Sequence, residues 1–386
     1  MGSASLSAFP AAAFAASPFA GSVVEQMAQP GQNTSVKPAY SVRFAVAGMS
    51  HDHIYGMVDA MIRGGGVLVS VYAAEPERGA AFLKRYPQAK PAQSEDEILN
   101  DPSIQLVLSS TIPNQRAPLG VRVMKHGKDY LSDKPGVTTL EQLAEVRKTI
   151  AETKRIFAIM YSERLEVKAA VHAGELVQAG AIGKVIQTIN IAPHQIFQKS
   201  GDAGGGTGRP DWFWDPEKYG GILCDIGSHQ VDQFLFYTGS TEAQVVASQV
   251  ANVRHKDHPK FQDFGDMMLR GNTAFGYVRL DWFTPAGLGT WGDGRLFILG
   301  TDGYIEIRKY ADIANTEHKG GNHLYLVDAK QARYIDCNNL TLPFGPQFIS
   351  DVVNRTHTAQ DQTQCLLAAE LVIRAQQGAT HASIQG

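Results

Sequence analysis

Asp225 and His229 stand four residues apart in the stretch Gly220-Gly221-Ile222-Leu223-Cys224-Asp225-Ile226-Gly227-Ser228-His229-Gln230-Val231-Asp232. On a helix that spacing puts both side chains on one face. A carboxylate beside an imidazole suits proton transfer near neutral pH, where histidine titrates without help from its surroundings. The two leading glycines are expected to let backbone approach a ligand closely. The same residues read equally well as a helix start with an acidic cap and a core histidine, and the stretch alone does not separate the two readings. A third group bears on the choice. Lys134, in Ser132-Asp133-Lys134-Pro135, carries an ammonium suited to polarising a carbonyl or stabilising a developing alkoxide. Its plainer reading is a solvated surface lysine.

Bringing Lys134 to a pair more than ninety positions away takes a cleft between two folded units, and the N-terminal part of the chain supplies one wall. Val42 to Ala47 is a short apolar run that leads into Gly48-Met49-Ser50-His51-Asp52-His53 and then the apolar-periodic segment Ile54 to Ile62, which reads as strand, tight turn and helix. Strand-like runs at Val67 to Tyr72, Gln105 to Ser110 and Asp129 to Leu131 alternate with helical patterns at Pro76 to Tyr86 and Glu95 to Asn100. This alternation predicts an α/β unit with a doubly wound parallel sheet, a fold that binds ligands at the carboxyl ends of its strands.

A dinucleotide fingerprint belongs in the turn after the first strand, and there only Gly48 of the three expected glycines is present. Ser50, at the second position, is small enough to admit a pyrophosphate and adds a hydroxyl donor, while the helix start supplies amides. His53, at the third, departs from the pattern, because that glycine normally allows close strand–helix packing. Glu75, at the tip of the second strand, suits the adenine ribose or simply caps the next helix. No Lys or Arg stands in Tyr72-Ala73-Ala74-Glu75 to meet a 2′-phosphate, which favours NAD while leaving NADP possible. Thr111-Ile112-Pro113-Asn114 falls at the end of the third strand, facing the same site. His51-Asp52-His53 invites a metal reading, but three adjacent residues rarely converge on one ion, and no metal is expected.

The bulk properties exclude several alternatives. With 386 residues the chain is long enough for two domains, and Lys+Arg 35 against Asp+Glu 38 lacks the positive excess that a nucleic-acid partner needs. Cys224, Cys337 and Cys365 form no metal-ligand or disulfide-framework spacing. Leu6 to Gly21 is rich in Ala, Phe and Ser and precedes the polar run Gln26 to Pro38, resembling the apolar part of an export signal and a linker. Pro10 and Pro18 break it too often for a membrane span, and no basic residue precedes Lys37. Residues 1–40 are expected to be an export-signal-like segment and linker, with a disordered or surface-packed arm as the alternative reading; the first implies a periplasmic or otherwise exported protein, the second leaves a cytoplasmic one open.

The order of elements resembles the glucose-fructose oxidoreductase, inositol dehydrogenase and rhizopine-catabolism family, Gfo/Idh/MocA. Asp133-Lys134-Pro135 is similar to its Glu-Lys-Pro signature, Thr111-Ile112-Pro113-Asn114 to its Thr-x-Pro-Asn turn, and Gly220 to Asp232 to its Gly-Gly-x-x-x-Asp-x-Gly-x-His-x-x-Asp element. Ala181-Ile182-Gly183-Lys184 resembles the turn before the family's second sheet. The resemblance implies a Rossmann domain at 41–160 and a C-terminal α+β domain at 161–386 with an open, mostly antiparallel sheet. Strands of that sheet are readable at Lys184 to Ala192, Ala243 to Val253, Phe264 to Leu269, Thr273 to Asp281 and Arg295 to Gly300, with closing helices at Phe348 to Asn354 and Thr363 to Gln376. The resemblance further implies a homo-oligomer, dimer or tetramer, formed through the free face of that sheet. It implies a cofactor set of Gly48, Met49, Ser50, His51, His53, Glu75, Thr111, Pro113, Asn114, Asp133, Lys134 and Arg164. Asp for Glu at position 133 shortens that side chain and puts its own cofactor contact in question.

Between Ala192 and Tyr219 runs a long loop rich in glycine and aromatics, with His194, Gly201 to Gly208, Trp212 and Trp214. Indole faces suit the apolar faces of a sugar ring; aromatics that anchor the loop to the core are the equal alternative. The expected activity is NAD(P)-dependent oxidation of a sugar or polyol hydroxyl carbon. His229 would act as base, Asp225 would orient substrate and Lys134 would stabilise the alkoxide, with His194, Trp212 and Trp214 completing the substrate wall. Two rivals are glycoside cleavage through transient sugar oxidation with a retained cofactor, and sugar binding without catalysis.

Overall fold

The computed structural model describes residues 38–196 and 209–383, so the export-signal-like segment and the Gly201–Gly208 run lie outside the described residues. The apolar run Val42–Ala47 forms β1, and the chain continues through α1 (His53–Arg63), β2 (Gly66–Tyr72), α2 (Pro76–Arg85), β3 (Lys90–Pro91), α3 (Glu95–Asn100), β4 (Leu106–Ser109), α4 (Pro113–Lys125), β5 (Asp129–Asp133), α5 (Leu140–Thr153) and β6 (Phe157–Met160). Their strands build a six-stranded sheet in the order β3-β2-β1-β4-β5-β6, parallel throughout. β4, β5 and β6 are buried along their whole length, as a sheet covered on both faces requires. The reversal of strand order beside β1 places the crevice between β1 and β4, next to Gly48.

Two short helices, α6 (Ser162–Leu165) and α7 (Lys168–Gln178), lead to β7 (Val185–Pro193), the first strand of a second sheet. α8 (Pro216–Tyr219), α9 (Ile222–Asp225) and α10 (Gly227–Thr238) follow, then β8 (Ala243–Ala251), β9 (Phe264–Gly271), β10 (Phe275–Asp281), β11 (Arg295–Gly300), β12 (Gly303–Arg308), β13 (His323–Asp328) and β14 (Ala332–Asp336). The chain closes with α11 (Phe344–Asn354), α12 (Gln362–Gln377) and β15 (Thr380–Ala382). The second sheet has nine strands in the order β14-β13-β12-β11-β7-β10-β9-β8-β15 and is antiparallel except at β7–β10 and β8–β15.

The pattern reading captured five of these strands and missed β12 to β15; β12 and β13 do alternate, with Ile305, Ile307, Leu324 and Leu326 buried at every second position, whereas β14 and β15 have no buried residue to mark them. α11 also begins earlier than expected, at Phe344, because that ring is buried and stacks on Phe348 at 5.4 Å.

α10 and α12 carry the contacts between the two sheets. α10 packs on β7 and β10 on one side and on α6 and α12 on the other, while α12 reaches α5 and β6. Gly227 makes this seat possible: a Cβ there would lie 2.9 Å from the Met267 methyl and 3.1 Å from Leu280. Nearly every residue of α10 is buried as a result, including His229.

Candidate active site

The phosphate-turn half of the site is built by Gly48. Its φ of +84° is one that only glycine adopts without strain, and an added Cβ would sit 2.8 Å from the Thr111 Cβ. Its amide bonds the Tyr72 carbonyl at 2.9 Å and its carbonyl accepts from Ser110 at 3.1 Å, which ties the turn to the tips of β2 and β4. Ser50 donates its hydroxyl to Glu75 Oε1 at 2.7 Å, so it orients the acidic side chain. Glu75 makes no side-chain cap to α2, and its Oε2 is buried without a partner. An orphaned carboxylate oxygen at this place fits a ribose hydroxyl. Arg78, one turn further along α2, escaped the sequence reading; it pairs with Asp52 at 2.7 Å and reaches the Met49 carbonyl at 3.4 Å.

Asp133, at the end of β5, is fully buried and all its lone-pair sites are used. Oδ1 accepts from the Lys134 amide at 2.7 Å and pairs with His53 Nδ1 at 2.9 Å, while Oδ2 takes His51 Nδ1 at 2.7 Å and an Arg116 nitrogen at 3.0 Å. Burial opposes the charge on Asp133, but Arg116 and the two histidines hold its carboxyl well below the usual range. Asp133 therefore reaches the cleft only through the imidazoles, because its shorter side chain lies beneath them. Arg116 was not found from sequence. It is completely buried and also bonds the carbonyls of Thr111, Lys134 and Pro135. His51, His53 and Asp133 present ligand atoms within 4.8 Å of one another, so two of the three adjacent residues do converge. Arg116 already balances the carboxylate and Lys134 stands next to it, so a metal cation would meet no net negative charge.

The second half of the site comes from α9 and α10. Lys134 Nζ donates to Asp225 Oδ1 at 2.7 Å, joining β5 of one sheet to the helices on the other. Burial would raise the Asp225 carboxyl, but the Lys134 ammonium pulls it below its usual value. His229 lies one turn on, with its ring centre 6.4 Å from those of both His53 and Tyr161. It is 2% exposed, its Nδ1 is buried without a partner, and burial pushes its pKa well below the usual value. His229 is thus a neutral imidazole at neutral pH. His194, at the end of β7, is likewise pushed down to about 4 by burial and stands edge-on to Trp282 and Trp291 at 5.3 and 4.7 Å.

Several expected contributors do other work. Gly220 and Gly221 approach protein atoms and not a ligand site: a Cβ would lie 3.0 Å from Cys224 at the first and 2.3 Å from Gln376 at the second. Gln262 and Gln376 accept the free amides of Ile222 and Leu223, which fixes the start of α9. Arg164, expected in the cofactor set, is buried and spends its guanidinium on Asp232 at 2.6 and 2.9 Å, over the Phe236 ring. Trp214 stacks on His258 at 3.8 Å, the anchoring alternative, whereas Trp212 lies edge-on to His51 at 6.3 Å beside the cleft. Pro113 opens α4 and is buried; Asn114 donates to the Glu217 carbonyl at 3.3 Å, bracing α4 against α8. Glu163 and Lys309, 146 positions apart, form a buried pair at 2.6 Å that also holds Gln230, the neighbour of His229, at 2.9 Å.

Residues 42–161 match the model of the oxidoreductase family with an NAD-binding Rossmann fold, and residues 170–306 match the GFO/IDH/MocA C-terminal domain. The chain belongs to the Gfo/Idh/MocA family. Its dinucleotide is therefore a nicotinamide cofactor, and the free Glu75 oxygen and the start of α1 fit that group. Within the family the chain is 46% identical to an oxidoreductase candidate of Erwinia carotovora atroseptica, whose crystal structure superposes with a TM-score of 0.83 over 89% of this chain and 100% of that one. It is 25% identical over 199 residues to the 1,5-anhydro-D-fructose reductase of Ensifer adhaerens, covering 50% of this chain and 55% of that one. With the scyllo-inositol 2-dehydrogenase (NAD(+)) of Bacillus subtilis it shares 24% over 247 residues, 63% of this chain and 65% of that one. Similarity to these two characterised enzymes thus spans less than two thirds of their length.

Proposed function

We infer that this family member oxidises a hydroxyl-bearing carbon of a sugar or polyol, or reduces the matching ketone, with NAD as the hydride carrier. The observation that carries the reading is the 2.7 Å contact of Lys134 with Asp225 beside His229. It joins Lys134 to Asp225, with His229 one turn further on and 6.4 Å by ring centres from His53 of the phosphate turn, which supports one site for the three groups. When bound, the nicotinamide supplies a two-electron hydride acceptor or donor. His229, kept neutral by burial, takes the hydroxyl proton as hydride leaves the same carbon. The Lys134 ammonium stabilises the charge that develops on that oxygen, and Asp225 aims the ammonium while accepting from a substrate hydroxyl. His194 and Trp212 flank the cleft, where an imidazole edge and an indole face suit a polyhydroxylated ring. The relatives named for anhydrofructose reduction and scyllo-inositol oxidation support this substrate class.

The test is a panel of sugars and inositols, including scyllo-inositol, screened by nicotinamide absorbance with purified protein and NAD or NADP. Reduction of the cofactor by one class of polyol supports the reading, and His229→Asn should lower that turnover by roughly 10²–10⁴-fold. Release of an aglycone from glycosides without net reduction would favour the retained-cofactor cleavage instead. Protein that binds sugar but no nucleotide would sink both. Support for a homo-oligomer comes from the outer face of the nine-stranded sheet, where Val246, Met268 and Phe275 stand 52–55% exposed on adjacent strands. A monomer by sedimentation would refute it.

A further inference from the structure

His51 and His53 bring more polar chemistry to the phosphate turn than three glycines would. Both rings are held from below by one carboxylate, since Asp133 takes His51 Nδ1 at 2.7 Å and His53 Nδ1 at 2.9 Å. Arg116 and the Lys134 amide fill its remaining sites, so Asp133 stays an anion and accepts. Each Nδ1 is therefore a donor, and a neutral ring that donates at Nδ1 keeps a bare lone pair at Nε2. The His51 and His53 side chains are 24% and 39% exposed, and beyond them lie Trp212 and His229 of the opposite wall. His53 is also the first residue of α1, where amides and helix dipole favour an anion.

A bare imidazole lone pair repels phosphate oxygens, whereas an imidazolium tethered to Asp133 offers them a charged donor. We propose that His53 is a proton-gated clamp for the diphosphate of NAD: it takes up a proton at Nε2 as the dinucleotide binds and donates that hydrogen to a phosphate oxygen. His51 stays neutral and orients the carboxylate. The clamp rests on the dinucleotide assignment and not on the roles given to Lys134 and His229.

The surrounding charges explain the gating. Facing His53 are Asp133 from the end of β5, with the Lys134 amide on the same carboxylate oxygen, Arg116 from α4 behind the carboxylate, His51 from the turn, and His229 from α10. Arg116 balances Asp133, Asp225 balances Lys134, and Asp52 balances Arg78 on the far side of the turn. Burial, and then His53 itself, push His51 down to about 4, so the second ring adds no charge. These pairings leave the turn nearly neutral, and the start of α1 disfavours a cation. An arriving dianion reverses that preference for the exposed ring. A second proton is opposed by the first, because the ring centres are only 4.1 Å apart.

The test is calorimetric titration of NAD into the full-length protein at pH 7.5 in PIPES and in Tris, whose ionisation heats differ. NAD has no group that titrates near this pH, so proton uptake must come from the protein. The expected result is uptake of about half to one proton per NAD, with affinity falling as pH rises. His53→Asn keeps an N–H for Asp133 but holds no proton. It should abolish the uptake, flatten the pH dependence and weaken binding at pH 6.5 by about tenfold, while His51→Asn retains the uptake. Equal heats for the wild type in the two buffers overturn the proposal without any variant, as does uptake that survives in His53→Asn. Wild-type protein that binds neither NAD nor NADP overturns the dinucleotide assignment and the clamp together.

Discussion

Replacing Lys134 by Met leaves Asp225, whose side chain is only 14% exposed, without its cation, which separates the charge of this pair from its packing. At 2.7 Å the attraction amounts to about 6 kcal/mol for an effective dielectric of about 20. The carboxylate can relax or take up a proton, so the expected loss of stability is smaller, about 3–5 kcal/mol at pH 7. Asp225→Asn in the same background removes the stranded charge and should restore about 2 kcal/mol or more of it. The pH dependence has a definite sign. In the wild type Lys134 holds the Asp225 carboxyl below its usual value, so the pair contributes stability at neutral pH that is lost as pH falls through that lowered value. Without the ammonium, burial dominates and the folded-state value lies above the unfolded one. The penalty is then largest at pH 7 and shrinks towards pH 4. Urea unfolding of the four proteins of the cycle at pH 7 and pH 5 measures both effects. A coupling under about 0.5 kcal/mol, or a Lys134→Met deficit unchanged between the two pH values, would refute the reasoning. Turnover in Lys134→Met should fall by roughly 10²–10³-fold with NAD affinity within about twofold, since the ammonium acts on the substrate oxygen.

Two further outcomes follow from buried geometry. Gly48→Ala puts a Cβ 2.8 Å from Thr111 on a backbone at φ +84°, so a thermal melt should show a loss of about 1–3 kcal/mol, and NAD titration a weaker turn. An unchanged melting temperature would contradict the strain. Glu163→Gln strands Lys309 and should cost about 3–5 kcal/mol, part of which the added change Lys309→Met recovers. Burial would raise the Glu163 carboxyl, but Lys309, His229 and His194 bring it down to about 2. The stability it lends is complete above its ordinary value of 4.5 and is lost as pH falls from there towards 2. The deficit of the Gln variant should therefore narrow below pH 4, and a constant deficit would count against the ion pair.

What the sequence disclosed was local, and what it concealed was contributed from afar. The β1 turn could be read because apolar run, glycine and amphipathic helix follow one another in Val42 to Ile62. Lys134, Asp225 and His229 could be singled out as candidates because each sits in a short pattern of residue types, and the fold brings the first two into contact. Arg116 was hidden because a charged residue in the first turn of a helix ordinarily reads as solvated, and nothing local shows that Asp133 draws it inward. Glu163 and Lys309 lie 146 positions apart, and neither neighbourhood hints at the other. Trp214 and Arg164 were misleading for the opposite reason. Their types suit a ligand site, yet His258 and Asp232 engage them first.

The departures from the family pattern have a physical logic of their own. Ser50, His53 and Asp133 each differ from the residue the pattern expects, and read singly each weakens the case for a dinucleotide site. In the folded chain two of them meet. A carboxylate one methylene shorter than Glu leaves room above it, and the imidazoles of His51 and His53 occupy that room while bonding both its oxygens. Ser50 turns its hydroxyl to Glu75 and leaves the other carboxylate oxygen free. A bulky third position and a short second-motif acid are therefore one feature seen at two places in the sequence, 80 positions apart. Restoring either alone would break the fit: glycine at 53 takes a donor from Asp133, and glutamate at 133 drives its carboxylate into the rings. The same coupling explains why recognition passes from backbone amides towards side chains in this turn, and why the affinity for dinucleotide should then depend on pH.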